Sequence, residues 1–219
     1  MLYITRDIQA RVNALNGAFT LKVDGMNGPS TRKAVADCMW QRKVRKEKDL
    51  FDESGLHAIV WHWTAGFDMP TNDDLGHYND VFDKVGNQYD GGARPEHQAN
   101  YNWRKGIGVS HTLNANTGRI GMAVAGMHGA EGWPRLDWGK NSITWAGIDA
   151  MLDRSNMYGK KFWIPNSPWS MMTHAEVQGT LGIQQENKWD YMVLPGDTKV
   201  RPAREVGDIL RARLKERFQ

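Results

Sequence analysis

The sequence predicts a mixed α/β domain preceded by a small helical unit. Three observations carry that expectation. Residues 56–63 form an apolar run rich in β-branched and aromatic side chains, both ends of the chain show helical apolar spacing, and a dense turn signal interrupts the chain near residue 25. Bulk composition agrees: 219 residues, 40% hydrophobic and 24% charged, supply a real core and exclude a disordered tail.

Taken in order, Ile8, Val12 and Leu15 share one helical face. Asp24-Gly25-Met26-Asn27-Gly28-Pro29 is a turn, and Pro29 suits the first position of a second helix with Ala34, Val35, Cys38 and Met39 inward. Residues 1–43 therefore predict a compact helical unit, and the charged residues 44–54 predict a linker. Residues 55–219 predict the main domain. Its first strand is the 56–63 run, ending in the loop Thr64-Ala65-Gly66. Loops with one helix over 75–85 are expected next, then strands at 109–113 and 119–125. Residues 145–151 suit a further strand or a helix start. Ala203, Val206, Ile209, Leu210 and Leu214 predict a closing amphipathic helix.

Several function classes are disfavoured. The formal net charge is only +3, and the densest basic cluster, residues 41–48, is too short and too poor in aromatic neighbours to suggest nucleic acid. No stretch is long and apolar enough for membrane insertion. A single cysteine, Cys38, rules out an intramolecular disulfide and sits in a helical core pattern rather than a nucleophile's setting. Residues 1–7 lack the basic-then-apolar pattern of a secretory signal. Neither His-Glu-x-x-His nor Gly-x-Ser-x-Gly occurs.

Seven histidines remain to be placed. His62 ends the strong strand beside a loop, a position that suits a structural histidine as well as a ligand. His174 precedes a polar loop that closes with Lys188-Trp189-Asp190. Two imidazoles and one carboxylate suit Zn2+, leaving a fourth position for water and a site charge of about +1. Glu176 and Asp197 are alternative third ligands. If the segment is extended, Lys188 shares a face with Asp190, where it would stabilise an oxyanion; a solvated surface lysine fits the same position.

Four motifs occur in order: His62-Trp63-Thr64-Ala65-Gly66; Gly108-Val109-Ser110-His111-Thr112-Leu113 followed by Gly118-Arg119-Ile120; Ala125-Gly126-Met127-His128-Gly129-Ala130; and His174 with Lys188-Trp189-Asp190. The set resembles the zinc N-acetylmuramoyl-L-alanine amidases of the type 2 family, which includes phage lysozyme-amidases and the peptidoglycan recognition proteins. The resemblance implies a mixed-sheet amidase domain flanked by helices, with Zn2+ on His62, His174 and Asp190. It implies Lys188 as oxyanion stabiliser and Asp149, in Gly147-Ile148-Asp149, as general base on a later strand. His111, His128 and Trp63 would line the substrate groove.

The turn from Asp24 to Pro29, joined to Ser30-Thr31-Arg32-Lys33-Ala34-Val35, resembles the three-helix peptidoglycan-binding domain of wall hydrolases. Asp24 and Arg32 would then contact the wall, near a helix N-terminus able to receive a polar ligand. Together the resemblances imply hydrolysis of the amide between N-acetylmuramic acid and L-alanine. They suggest a monomeric phage endolysin, made in the host cytoplasm without a signal and acting on the wall in the periplasm after release. A wall peptidase or glycosidase, or a non-catalytic peptidoglycan-recognition protein, are the rival expectations.

Overall fold

Apolar side chains run almost unbroken through β1 (Ala58–Trp63) because this strand is central and covered on both faces. The computed structural model describes residues 3–15 and 20–218. Met1 and Leu2, part of the stretch read for a leader, lie outside them, as do residues 16–19 of the helical unit and Gln219. Beside β1 stand β4 (Arg119–Val124) and β5 (Met171–Thr173), both parallel to it. Next come β2 (Asp80–Phe82), parallel to β4, and β3 (Gln88–Asp90), antiparallel to β2. The result is a five-stranded mixed sheet of order β3-β2-β4-β1-β5, flanked by helices. No helix among the described residues is long and apolar enough to cross a membrane.

Strand alternation divides the side chains between two faces. Ile59, Trp61 and Trp63 point with Ile120, Met122 and Val124 into the larger core. That core is closed by helices α4 (Trp145–Lys161) and α6 (Ala203–Arg217), which contribute Ile148, Met151, Leu152, Val206, Leu210 and Leu214. Val60 and Met172 point the other way, against Ala10, Val23, Ala115, Val177 and Leu181. Val177–Leu181 is the short helix α5.

Two elements differ from expectation, and at a third one of two open readings holds. Residues 109–113 are not a strand. Val109 takes its backbone pairing from a buried side chain instead: it donates to Gln98 Oε1 at 2.7 Å, and Gln98 Nε2 donates to its carbonyl at 3.1 Å. The helix expected over 75–85 is α3, only Asn72–His77, capped by Thr71; the apolar pair Val81 and Phe82 joins the sheet beside β4. Residues 145–161 are helix rather than strand because Thr144 caps them, its side chain accepting from Gly147 N at 3.2 Å.

Among the described residues, the N-terminal unit holds two α-helices, α1 (Thr5–Leu15) and α2 (Pro29–Arg42), and a four-residue 3-10 turn at Glu47–Leu50. Val12, Ala34, Val35 and Cys38 form its core, as their spacing suggests, together with Leu21. Leu50 and Phe51 complete it, so part of the stretch expected as linker is folded in. Phe51 stacks on Tyr3 with centroids 3.6 Å apart.

This unit is docked on the sheet rather than strung beside it. Helix α1 turns Ile8, Val12 and Leu15 to its own core and Arg6, Asp7, Ala10 and Arg11 to the main domain. Arg6 Nη1 donates to Leu181 O at 2.7 Å, and Arg11 Nη1 to Trp163 O at 2.8 Å. Buried Asp7 pairs with buried Arg119 at the start of β4 and lies 3.4 Å from His57 Nε2. Burial pushes the Asp7 carboxyl up, but Arg119 and His57 outweigh it and hold the group well below the usual carboxylate value of 3.8.

Because the folded value is depressed, this contribution is complete above pH 3.8 and is lost as pH falls below it. Asp7→Asn strands a buried guanidinium, so we expect unfolding free energy at pH 7 to drop by about 3 kcal/mol. Denaturant titrations should show that gap shrinking in acid.

Candidate metal centre

Period-two alternation puts His62 on the face of β1 opposite Trp61 and Trp63, with none of its surface exposed. His174 follows β5, the strand on the other side of β1, and opens a one-turn 3-10 helix capped by Thr173. Asp190 arrives on a reversal whose next residue, Tyr191, has left-handed backbone (φ 59°), a conformation costing a bulky residue roughly 1–2 kcal/mol. Complete burial of the Tyr191 ring in the main core secures it.

These elements bring three donor atoms together. His62 Nδ1 and His174 Nδ1 each lie 3.3 Å from Asp190 Oδ2. All three residues are buried, and their ligand atoms lie within 4.8 Å of one another. Atoms bound about 2.0–2.1 Å from a tetrahedral zinc stand about 3.3 Å apart, so the spacing suits that ion. The other ring nitrogens are engaged: His62 Nε2 meets His111 Nδ1 at 3.1 Å, and His174 Nε2 meets Gln185 Oε1 at 3.0 Å. Gln185 is oriented by its amide nitrogen, which donates to Leu113 O at 2.9 Å. With Nε2–H facing Gln185, His174 presents a bare Nδ1 lone pair. His62 Nδ1 is buried without a hydrogen-bond partner among the described residues. Lone pairs converging on a carboxylate oxygen repel unless a cation lies among them, so the donor set fits a divalent metal.

Electrostatics agree. Burial and the neighbouring His174 push His62 down to about 4, so it is neutral near pH 7, as a ligand must be. Burial and His62 likewise hold His111 well below the usual histidine range.

The remaining predicted residues divide. Lys188 is exposed and lines a cavity of about 510 Å3 with Tyr101, Trp103, His111, Thr112 and His174. His111 reaches His62 itself. His128 is not gathered in; it stacks on Phe67 with centroids 4.6 Å apart. Trp63, expected on the groove, is a core residue at 4% exposure, because a strand neighbour of His62 must face the opposite side. Asp149, expected as general base on a strand, lies on α4 across the sheet. Its carboxylate is taken by Arg213 (Nη2–Oδ2 2.7 Å) and Arg217 (3.2 Å). Asp24 Oδ1 accepts from Gln9 Nε2 and Met26 N, both at 2.9 Å, and Arg32 donates to Asn27 O at 2.6 Å, so both brace the turn that carries them.

Of the alternative ligands, Glu176 is bound by Arg211 at 2.8 Å and by Thr173 N at 2.9 Å, while Asp197 is bound by Arg201 and by Leu194 N. Two residues that sequence reasoning missed are Gln185 and Tyr78. The Tyr78 ring lies 5.1 Å from that of His62, and its hydroxyl donates to Trp63 O at 3.4 Å. Burial and the nearby Asp190 push its phenol up, keeping the proton on. The helix expected over 75–85 concealed Tyr78, and nothing in the pattern around Gln185 marks it.

No family model matches the sequence, and no curated protein matches it. Among solved structures, the chain is similar to the N-acetylmuramoyl-L-alanine amidase LysC of Clostridium intestinale URNW, with 18% identity, TM-score 0.43, and coverage of 75% of this chain and 89% of that one. It is also similar to the endolysin N-acetylmuramoyl-L-alanine amidase LysCS of the same organism, with 19% identity, TM-score 0.44, and coverage of 75% and 88%.

The two candidate third ligands separate in experiment. Asp190→Asn should abolish stoichiometric zinc binding, measured by metal analysis, with little effect on the fold. Glu176→Gln should keep zinc but lower unfolding free energy by about 3 kcal/mol, because Arg211 is left short of a buried partner.

Proposed function

We propose that this chain is a zinc-dependent peptidoglycan hydrolase that cleaves the amide between N-acetylmuramic acid and the L-alanine of the stem peptide. The observation that carries the reading is the convergence of His62 Nδ1, His174 Nδ1 and Asp190 Oδ2 beside a cavity rimmed by Lys188. The ordered sequence motifs around those residues, and the Asp24–Val35 turn, support peptidoglycan as the substrate.

His62, His174 and Asp190 would hold the ion. When bound, zinc supplies Lewis acidity toward water and the scissile carbonyl. The ammonium of Lys188, two residues from Asp190, then holds the negative charge that develops on the carbonyl oxygen. The Tyr78 ring packs against that of His62, and its protonated hydroxyl donates to Trp63 O. Asp149 takes no part, since Arg213 and Arg217 occupy it. Asp24 and Arg32 act on the wall only through the turn they stabilise. We further propose an endolysin role for the chain, acting as a monomer on the wall after release.

Digestion of purified wall followed by mass spectrometry tests the bond. Muramic acid with a free lactyl group and released stem peptides starting at L-alanine are expected. New reducing ends or cut cross-links would replace this reading with a glycosidase or peptidase. Lys188→Met should lower kcat by about 10^2–10^3 while zinc content stays at one per chain.

A further inference from the structure

His111 is buried, lies outside the ligand trio, and is seated with more care than a groove wall requires. Its Nε2 lies 3.1 Å from the carbonyl of Arg119, which can only accept, so that nitrogen carries the proton. Its Nδ1 is therefore an acceptor, met by His62 Nε2 at 3.1 Å and Thr112 Oγ1 at 2.8 Å. The backbone around it is pinned by one oxygen: Asn116 Oδ1 accepts from both His111 N and Thr112 N at 2.9 Å. The ring rests on Gly121 of β4, where a Cβ would stand 2.4 Å from the imidazole. Gly121 is in register with Val60, on the same sheet face as His62.

We infer that His111 is a positioning residue of the metal centre: it directs the proton of His62 to Nε2 and so leaves Nδ1 bare for the ion. The reverse tautomer of His62 would set two lone pairs against each other at 3.1 Å inside the protein, with only the Thr112 hydroxyl, 3.5 Å from His62 Nε2, left to donate. The second ligand, His174, receives the same instruction from Gln185 Oε1. The two ligands are thus oriented by different chemistry, an amide for one and a second imidazole anchored on the sheet backbone for the other. Such partners typically change metal affinity 10–100-fold.

The inference rests on the zinc reading of the trio, and substitutions at residue 111 separate the two. Asparagine sets Oδ1 where His111 has Nδ1, keeping the acceptor for His62. Glutamine carries its amide at the Nε2 end, keeping the link to Arg119 but not the acceptor. We expect wild type to bind one zinc. His111→Leu and His111→Gln should each weaken zinc binding by roughly 10–100-fold in chelator competition and alter the visible spectrum of the cobalt-substituted protein. His111→Asn should recover most of the affinity and the wild-type spectrum. Gly121→Ala should reproduce the leucine result with His111 still present, and it stands in if His111→Leu fails to fold. Equal zinc affinity and cobalt spectra across all variants, or rescue by glutamine rather than asparagine, overturns the positioning role. Absence of zinc from wild type itself overturns the metal reading, and the inference with it.

Discussion

A histidine with no exposed surface must have both ring nitrogens accounted for, and His62 is such a residue at the centre of the sheet. Its Nε2 is satisfied by His111, and its Nδ1 has no hydrogen-bond partner among the described residues. Much of the architecture around it serves that asymmetry. Strand β4 gives up a side chain at Gly121 so that His111 can approach. Strand β5 delivers His174 from the opposite side, and the left-handed turn at Tyr191 swings Asp190 over both. An apolar residue at position 62 would remove the need for all three arrangements, whereas a buried imidazole without them would be a net cost.

The same sheet face receives the N-terminal unit. Helix α1 spends its Asp7, Ala10 and Arg11 positions on the main domain, and Asp7 clamps Arg119, whose carbonyl in turn anchors His111. The unit and the metal centre thus meet at one residue of β4, the side chain serving one and the backbone the other. Ion pairing also secures the far side, where Arg213 and Arg217 of α6 hold Asp149 and Asp153 of α4. Charged pairs fasten both outer layers, while the central strand β1 is apolar except at His62.

Elements with long periodic patterns were legible in the sequence: β1, β4, α1, α2 and α6 all follow from spacing. The three-residue strands β2 and β5 were not, because so short a strand shows no period and forms only where a neighbour supplies the partner. Residues 109–113 misled for a related reason, since their β-like composition is satisfied by the Gln98 side chain. Within the site, His62, His174 and Asp190 were legible because strand position and ordered motifs single them out. Trp63 and Asp149 were misplaced for want of facing information, which lies in the sheet and not in the spacing. Tyr78 and Gln185 act through contacts between distant segments, and no local pattern encodes those.

Docking also bears on how a wall enzyme of the proposed kind would work. A module on a flexible tether raises local concentration over every distance its linker can span. Here Leu50 and Phe51 fill the N-terminal core, and Arg6, Asp7 and Arg11 fix α1 to the domain. The turn at residues 24–29 then stands at a set distance and angle from the metal trio. On the proposed reading, the wall-binding turn and the metal trio would be held in a fixed relation rather than joined by a free tether. Loss of the Asp7–Arg119 pair would, on that reading, loosen this relation as well as cost stability.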